Sequence, residues 1–300
     1  MENNKDELNI LDLVAIFLKG KKIIASVTAL TAIFVIIYSL TLPNLYESSA
    51  LLNPIKSDNS SYGAFENFSG LASLAGINLK DLGGEANSEM ALEKVVSLSF
   101  FETNILPNIF LPDLKALKSW NYDSNSLIYD ANIYDKSSET WADNSEKPSA
   151  QKSFKVFQKK HLRIREENNG FVSIKIKHKS PYIAKAWVEL IVEEINAFYR
   201  EKDKSQAEKA ITYLNKQLMK TSLSEIRKAL AELLQIEIQK TTLIEAKEAY
   251  VFDYIDSPVV MEQKSEPSRS LIILLGTFLG IVLGYIIVLF KHFSTTRKYV

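Results

Sequence analysis

Two stretches of the chain are apolar and carry no charge, Ile23 to Leu42 and Leu271 to Phe290. Each is long enough, as a helix, to cover roughly 30 Å, the thickness of a bilayer's hydrocarbon core. A core helix of a soluble protein shows a charged or strongly polar face over that length. Two membrane spans are therefore predicted, one near each end. The apolar run of the first exceeds the h-region of a signal peptide, and Tyr46 and Glu47 stand where small residues would precede cleavage. It is expected to remain as an anchor.

Between the spans the apolar positions follow the periods of a folded body. Tyr46 to Ile55 alternates in part and is punctuated by Pro54, as expected of a strand. A small-residue stretch, Phe68 to Gly76, is closed by Gly83-Gly84. Ser88 is a candidate N-cap for a helix carrying Met90, Leu92, Val95, Val96 and Leu98, which ends before Pro107. Residues 119–148 are polar, with Tyr122, Tyr129 and Tyr134 scattered among them, and predict a long surface connection. A short helix from Ala150 to Lys160 presents Phe154 and Phe157 on one face. His161–Glu166 and Phe171–Lys177 then alternate around Asn169-Gly170, a strong hairpin signal.

Ser180-Pro181 places a cap and an N1 proline ahead of a long apolar stripe: Ile183, Trp187, Leu190, Ile191, Ile195 and Phe198, continuing through Ala207, Ile211, Leu214 and Leu218. A helix from Pro181 to about Met219 would reach about 60 Å. Ser222 to Glu225 fits a capping box for a second helix from Leu223 to about Glu248. Helices this long outrun a small core, so their stripes must pack on each other or on neighbouring subunits. Tyr250 to Ile255 returns as a strand, and Pro258 and Pro267 bracket the approach to the second span. The first strand follows one span and the last precedes the other, which predicts that the two share a sheet.

Composition adds orientation and exclusions. Lys+Arg and Asp+Glu are both 36, so no net charge points to nucleic acid. Lys19, Lys21 and Lys22 crowd the N-terminal edge of the first span, whereas Lys56 is the first base beyond it; Lys291, Arg297 and Lys298 follow the second, against Lys264 and Arg269 before it. The positive-inside rule places both tails in the cytoplasm and residues 43–270 outside. There is no cysteine, no phosphate-binding loop, and no GxSxG, HExxH or GxGxxG pattern. No catalytic, metal or cofactor-binding residue is assigned. His178, one of three histidines, is expected at a solvated strand end. Gly276, Gly280 and Gly284 form a tandem GxxxG on one face of the second span, where another helix could approach closely: the first span, another copy, or another protein.

In order and spacing the chain resembles the Wzz-type polysaccharide chain-length determinants, or polysaccharide co-polymerases. The resemblance runs from Leu11-Asp12-Leu13 and Lys21-Lys22 through the 68–76 stretch and the helix at Ser88–Leu106. It continues through Ala184 to Tyr213, with Arg200-Glu201-Lys202-Asp203-Lys204, to the proline-bearing approach and glycine-rich second span. Two prolines, Pro258 and Pro267, are fewer than that segment usually carries. The implied fold class is an α+β membrane protein with two transmembrane helices bracketing a periplasmic α/β base with long extended helices. The divisions are a cytoplasmic tail 1–22, a span 23–42, a periplasmic co-polymerase domain 43–270 (base 43–180 and 249–270, helices 181–248), a span 271–290 and a tail 291–300.

The implied function is non-catalytic. A homo-oligomeric scaffold in the bacterial inner membrane sets the length of lipid-linked, O-antigen-type polysaccharide made by a Wzy-type polymerase. The short tail and missing phosphate loop point away from co-polymerases with a fused kinase. The alternatives are an inner-membrane component of a capsule or exopolysaccharide export complex, a two-span sensor, and a periplasmic hydrolase.

Overall fold

The computed structural model describes residues 16–55, 88–142 and 146–296. The small-residue stretch at 68–76, Leu11-Asp12-Leu13, Lys56, Arg297 and Lys298 lie outside them. The chain forms two compact units, one from residues up to Leu45 together with those from Gln263, the other Tyr46–Glu262.

The first unit is a pair of apolar helices, α1 (Lys21–Thr41) and α8 (Arg269–Thr296), both long and apolar enough to cross a membrane. Their large side chains point outward: Leu30, Phe34 and Ile37 on α1, Leu274, Phe278 and Phe290 on α8 are all exposed. Where α1 ends, Asn44 Oδ1 accepts from Arg269 Nη2 (3.1 Å) and Lys264 Nζ (3.3 Å), and the backbones of Leu45 and Glu266 pair. Each helix is thus tied to the other at that end.

The second unit is built on a four-stranded antiparallel sheet in the order β6-β7-β1-β8: β1 is Tyr46–Pro54, β6 Leu162–Glu166, β7 Val172–His178 and β8 Phe252–Asp256. The first and last strands share this sheet, as expected from their places in the sequence, and lie next to each other in it. Period-two alternation sends Val172, Ile174 and Ile176 of β7 and Ala50 and Leu52 of β1 to one buried face. Lys175 and Lys177 go to the other, where both pair with Glu47 (3.6 and 3.3 Å). In the hairpin loop Gly170 takes φ +81°, its N–H donates to Glu167 O, and Asn169 Oδ1 receives the Phe171 N–H. This is a longer loop than a two-residue Asn-Gly turn, with glycine in the left-handed position.

The start of α6 (Pro181–Lys220) covers the buried face with Ala184, Trp187, Val188, Ile191, Val192 and Ile195. Ser180 Oγ caps it through the Ile183 N–H (3.5 Å). The expected helix over 88–106 is interrupted. α2 (Ser88–Val95) stops, Ser97 caps a new turn through the Phe100 N–H (3.2 Å), and α3 (Leu98–Phe100) runs into a π-helical turn, Phe101–Ile105. The break aims Phe100, Phe101 and Ile105 into the core together. After α4 (Leu111–Lys115), the stretch expected to be irregular folds into two hairpins, β2–β3 (Leu117–Asn121, Ser126–Tyr129) and β4–β5 (Tyr134–Asp135, Thr140–Trp141). α5 (Ala150–Val156), capped by Ser149, then leads through a π-helical turn into β6.

Beyond the core, α6 continues and α7 (Ser224–Ala246) folds back along it. Lys204 pairs with Glu245 (2.7 Å), and Arg200 donates to the carbonyls of Lys247 and Glu248 (2.9 and 2.6 Å). Within the chain the two stripes pack on each other as an intramolecular hairpin. Leu223, not Ser222, occupies the N-cap of α7, and no side chain caps it, so the capping box does not form.

Candidate functional site

The three glycines singled out in the second span all lie against α1. A Cβ at Gly276 would sit 2.5 Å from Val35 Cγ2, and one at Gly284 would sit 2.9 Å from the Ile24 Cα. One at Gly280 would overlap Thr31 Oγ1 and come within 3.2 Å of the Thr28 Cα. Side chains at Ile24, Thr28, Thr31 and Val35, spaced by four, three and four residues, make the matching ridge on α1. Gly20, before α1, gives the reverse contact, its missing side chain filled by Val288. The backbones approach through absent side chains, the way helices associate where no water drives them together. The Thr31 hydroxyl is satisfied within its own helix, donating to Val27 O (3.0 Å) and Thr28 O (2.9 Å). The α1 half of this contact carries no sequence signature, because Ile, Thr and Val are ordinary in any span.

The proline segment is not gathered into one place. Pro258 is buried in the sheet-bearing unit, beside Val259 whose carbonyl accepts from Ser48 Oγ (2.8 Å). Pro267 belongs to the helix pair, next to the Leu45–Glu266 bridge.

His178 departs from its expected solvated position. It is fully buried, with its ring 4.8 Å from Trp187 and 5.3 Å from His161. Its Nδ1 accepts the Ser180 N–H (3.1 Å), which leaves Nε2 to donate to Asp113 O (3.1 Å). Burial pushes the imidazole down to about 3, helped by neighbouring His161, and burial likewise pushes His161 down to about 4. Both are neutral at pH 7, which suits wedges between sheet, helix and hairpins. Among the described residues no group of His, Asp and Glu is arranged to hold a metal ion.

Two further features went unread in the sequence. Aromatic side chains from the hairpins and their surroundings gather in two groups, one around Tyr134 with Phe110, Tyr129 and Trp141, the other around Trp120 with Tyr46, Tyr122 and Tyr182. No periodicity announces them, because their members come from six elements and two loops. In the long hairpin, Glu237 is buried with neither carboxylate oxygen hydrogen-bonded, and burial raises its pKa. It sits in the seam with Leu230 and Leu233, where the stripe predicts an apolar residue.

These geometries describe a pair of apolar helices, an α+β body and a helical hairpin. Against known protein families, residues 6–97 match the model of the Wzz chain length determinant protein. That stretch is similar to a Wzz chain length determinant domain. The matched stretch takes in α1, β1 and α2, that is, one partner of the glycine contact and a central strand of the sheet. No curated protein matches the chain. Among solved structures, the chain is similar to a full-length bacterial polysaccharide co-polymerase, at 13% identity and TM-score 0.45 over 97% of this chain and 99% of that one. It is also similar to a fragment of the WzzB co-polymerase from Salmonella Typhimurium, at 15% identity and TM-score 0.31 over 74% of this chain and 100% of the fragment.

Proposed function

We propose that the chain is a non-catalytic regulator of the length of lipid-linked, O-antigen-type surface polysaccharide made by a Wzy-type polymerase. It acts as a homo-oligomeric scaffold. The similarity of residues 6–97 to the Wzz chain length determinant model is the observation that carries this reading. The arrangement around it is consistent: two apolar helices bracket one folded body, whose first and last strands pair. Lysines at 19, 21 and 22 and at 291 flank the helix ends, and support an inner-membrane location with both tails cytoplasmic and residues 43–270 periplasmic. The long hairpin leaves Tyr213, Met219, Leu223, Ile238 and Leu243 exposed, a surface fit for packing between copies. The contact of Gly276, Gly280 and Gly284 with α1 would hold each copy's anchor together, and Pro258 and Pro267 would set the path of the chain leading into α8.

Gel electrophoresis of surface polysaccharide from a deletion strain tests the proposal. Export should persist while the distribution of chain lengths broadens or shifts, and the full-length chain should restore it. Loss of export would point instead to a component of an export complex; an unchanged ladder would refute a role in length control.

A further inference from the structure

Trp120 on β2 stands at the centre of three tyrosines drawn from separate parts of the body. Its ring lies 5.3 Å from Tyr46 of β1, 5.7 Å from Tyr122 in the hairpin loop and 6.0 Å from Tyr182 in the first turn of α6. None of the four belongs to the hydrophobic core. Tyr122 is 70% and Tyr182 49% exposed, while Tyr46 and Trp120 are half-buried. The arrangement is nevertheless held in place. The indole N–H donates to Asn125 Oδ1 (2.8 Å), and Asn125 takes a left-handed φ of +46°. Asn121 Oδ1 closes the loop by accepting from the N–H groups of Asp123 (2.9 Å) and Ser124 (3.2 Å). A ring set held in this way, with Tyr122 and Tyr182 open to solvent, loses little freedom when something binds to it.

The chemistry of the patch narrows its ligand. Stacking rings with hydroxyl tips, bordered by Asn121, Asp123, Ser124, Asn125 and Ser126, suit a molecule that alternates apolar faces with hydroxyl groups. A pyranose ring has that character: its C–H groups form an apolar face and its hydroxyls project around the rim. The loop from Asn121 to Ser126 holds an acid and no base, so it is poorly matched to the phosphates of a lipid surface. We propose that Trp120, with Tyr46, Tyr122 and Tyr182, forms a platform on which sugar rings of a polysaccharide chain stack. The proposal rests on the chain-length reading above and adds to it a place where the body touches polymer.

The test uses the full-length chain in cells making the polysaccharide, with p-benzoylphenylalanine replacing Tyr122 or Tyr182, and Tyr213 of the long hairpin as the control position. Ultraviolet light should convert the first two into a ladder of adducts that periodate destroys, and should leave the control without one. Trp120→Ala should lower the adduct yield from position 182 by about tenfold, the equivalent of one stacked ring, and Trp120→Phe should retain most of it. Adducts of one fixed mass to a protein, adducts to lipid, or no adduct at either tyrosine would overturn the platform. If deletion of the chain alters polysaccharide length while no sugar adduct forms, only the platform fails. If deletion alters nothing, the function itself fails.

Discussion

At the scale of single residues, two buried titratable sites pull stability in opposite directions with pH. His161 and His178 are held neutral, with folded values of about 4 and about 3 against an ordinary 6.5. Between those limits the unfolded chain binds protons that the folded one refuses, so stability is full above pH 6.5 and is lost as pH falls. Each histidine contributes a slope of up to about 1.4 kcal/mol per pH unit. Thermal unfolding of the full chain between pH 7 and 5 should show this loss, and His178→Gln should flatten it. Glu237 behaves in reverse. Its folded pKa lies above the ordinary carboxylate value because burial penalises the charge, so its contribution is lost as pH rises above 4.5. Glu237→Leu should stabilise the hairpin by about 1–3 kcal/mol at pH 7, since it replaces a buried carboxyl lacking hydrogen bonds with an apolar side chain. A lower melting temperature for that variant would mean the carboxylate has a partner that the single chain does not supply. Neither site was legible in the sequence: burial of His178 depends on Trp187 and on hairpins distant in the chain, and a lone Glu in a stripe looks like any solvated charge.

At the scale of elements, legibility followed the length of the pattern. The long stripe from Ile183 to Leu218 and the Ser180-Pro181 start gave α6 to within a residue at each end, Pro181 to Lys220. The β6–β7 hairpin was equally clear from its alternation about Asn169-Gly170. Short elements were not. The break at Ser97 and the π-helical turn after it satisfy packing of Phe100 and Phe101, a tertiary demand that local pattern does not record. The hairpins within 117–141 are strands of two to five residues, set by aromatic contacts across them. In the helix pair the glycines were visible and their partner was not. Gly280→Leu should force α8 away from Thr28 and Thr31, lowering the thermal stability of the full chain in detergent or altering its native mass. A variant that matched the parent in both would show that the close approach is dispensable, whereas Gly280→Ala, which adds one methyl, should have a smaller effect.

At the scale of the whole molecule, the sequence displayed the order of parts more fully than their contacts. Two uncharged blocks, two neighbouring long helices and strands adjoining each block were all apparent. A sheet shared by β1 and β8 is expected from their places next to the spans, and the structure forms it, pairing them directly with Leu52 opposite Tyr254 and Pro54 opposite Phe252. What no local pattern disclosed was the strand order, in which β1 enters between β7 and β8. That position gives a stability prediction for the body. Leu52, buried at the centre of the sheet, should cost about 2–5 kcal/mol when changed to Ala, and chemical unfolding should report the loss in one cooperative step.

The sheet order also dictates a schedule of assembly. β1 is among the first segments made, yet one of its edges waits for β8, whose residues emerge about two hundred positions later. Until then the nascent body carries an open strand beside a finished hairpin, a template for pairing with the wrong chain. A chain released before Phe252 would therefore be more than shortened: it would keep an adhesive edge that the complete protein never shows.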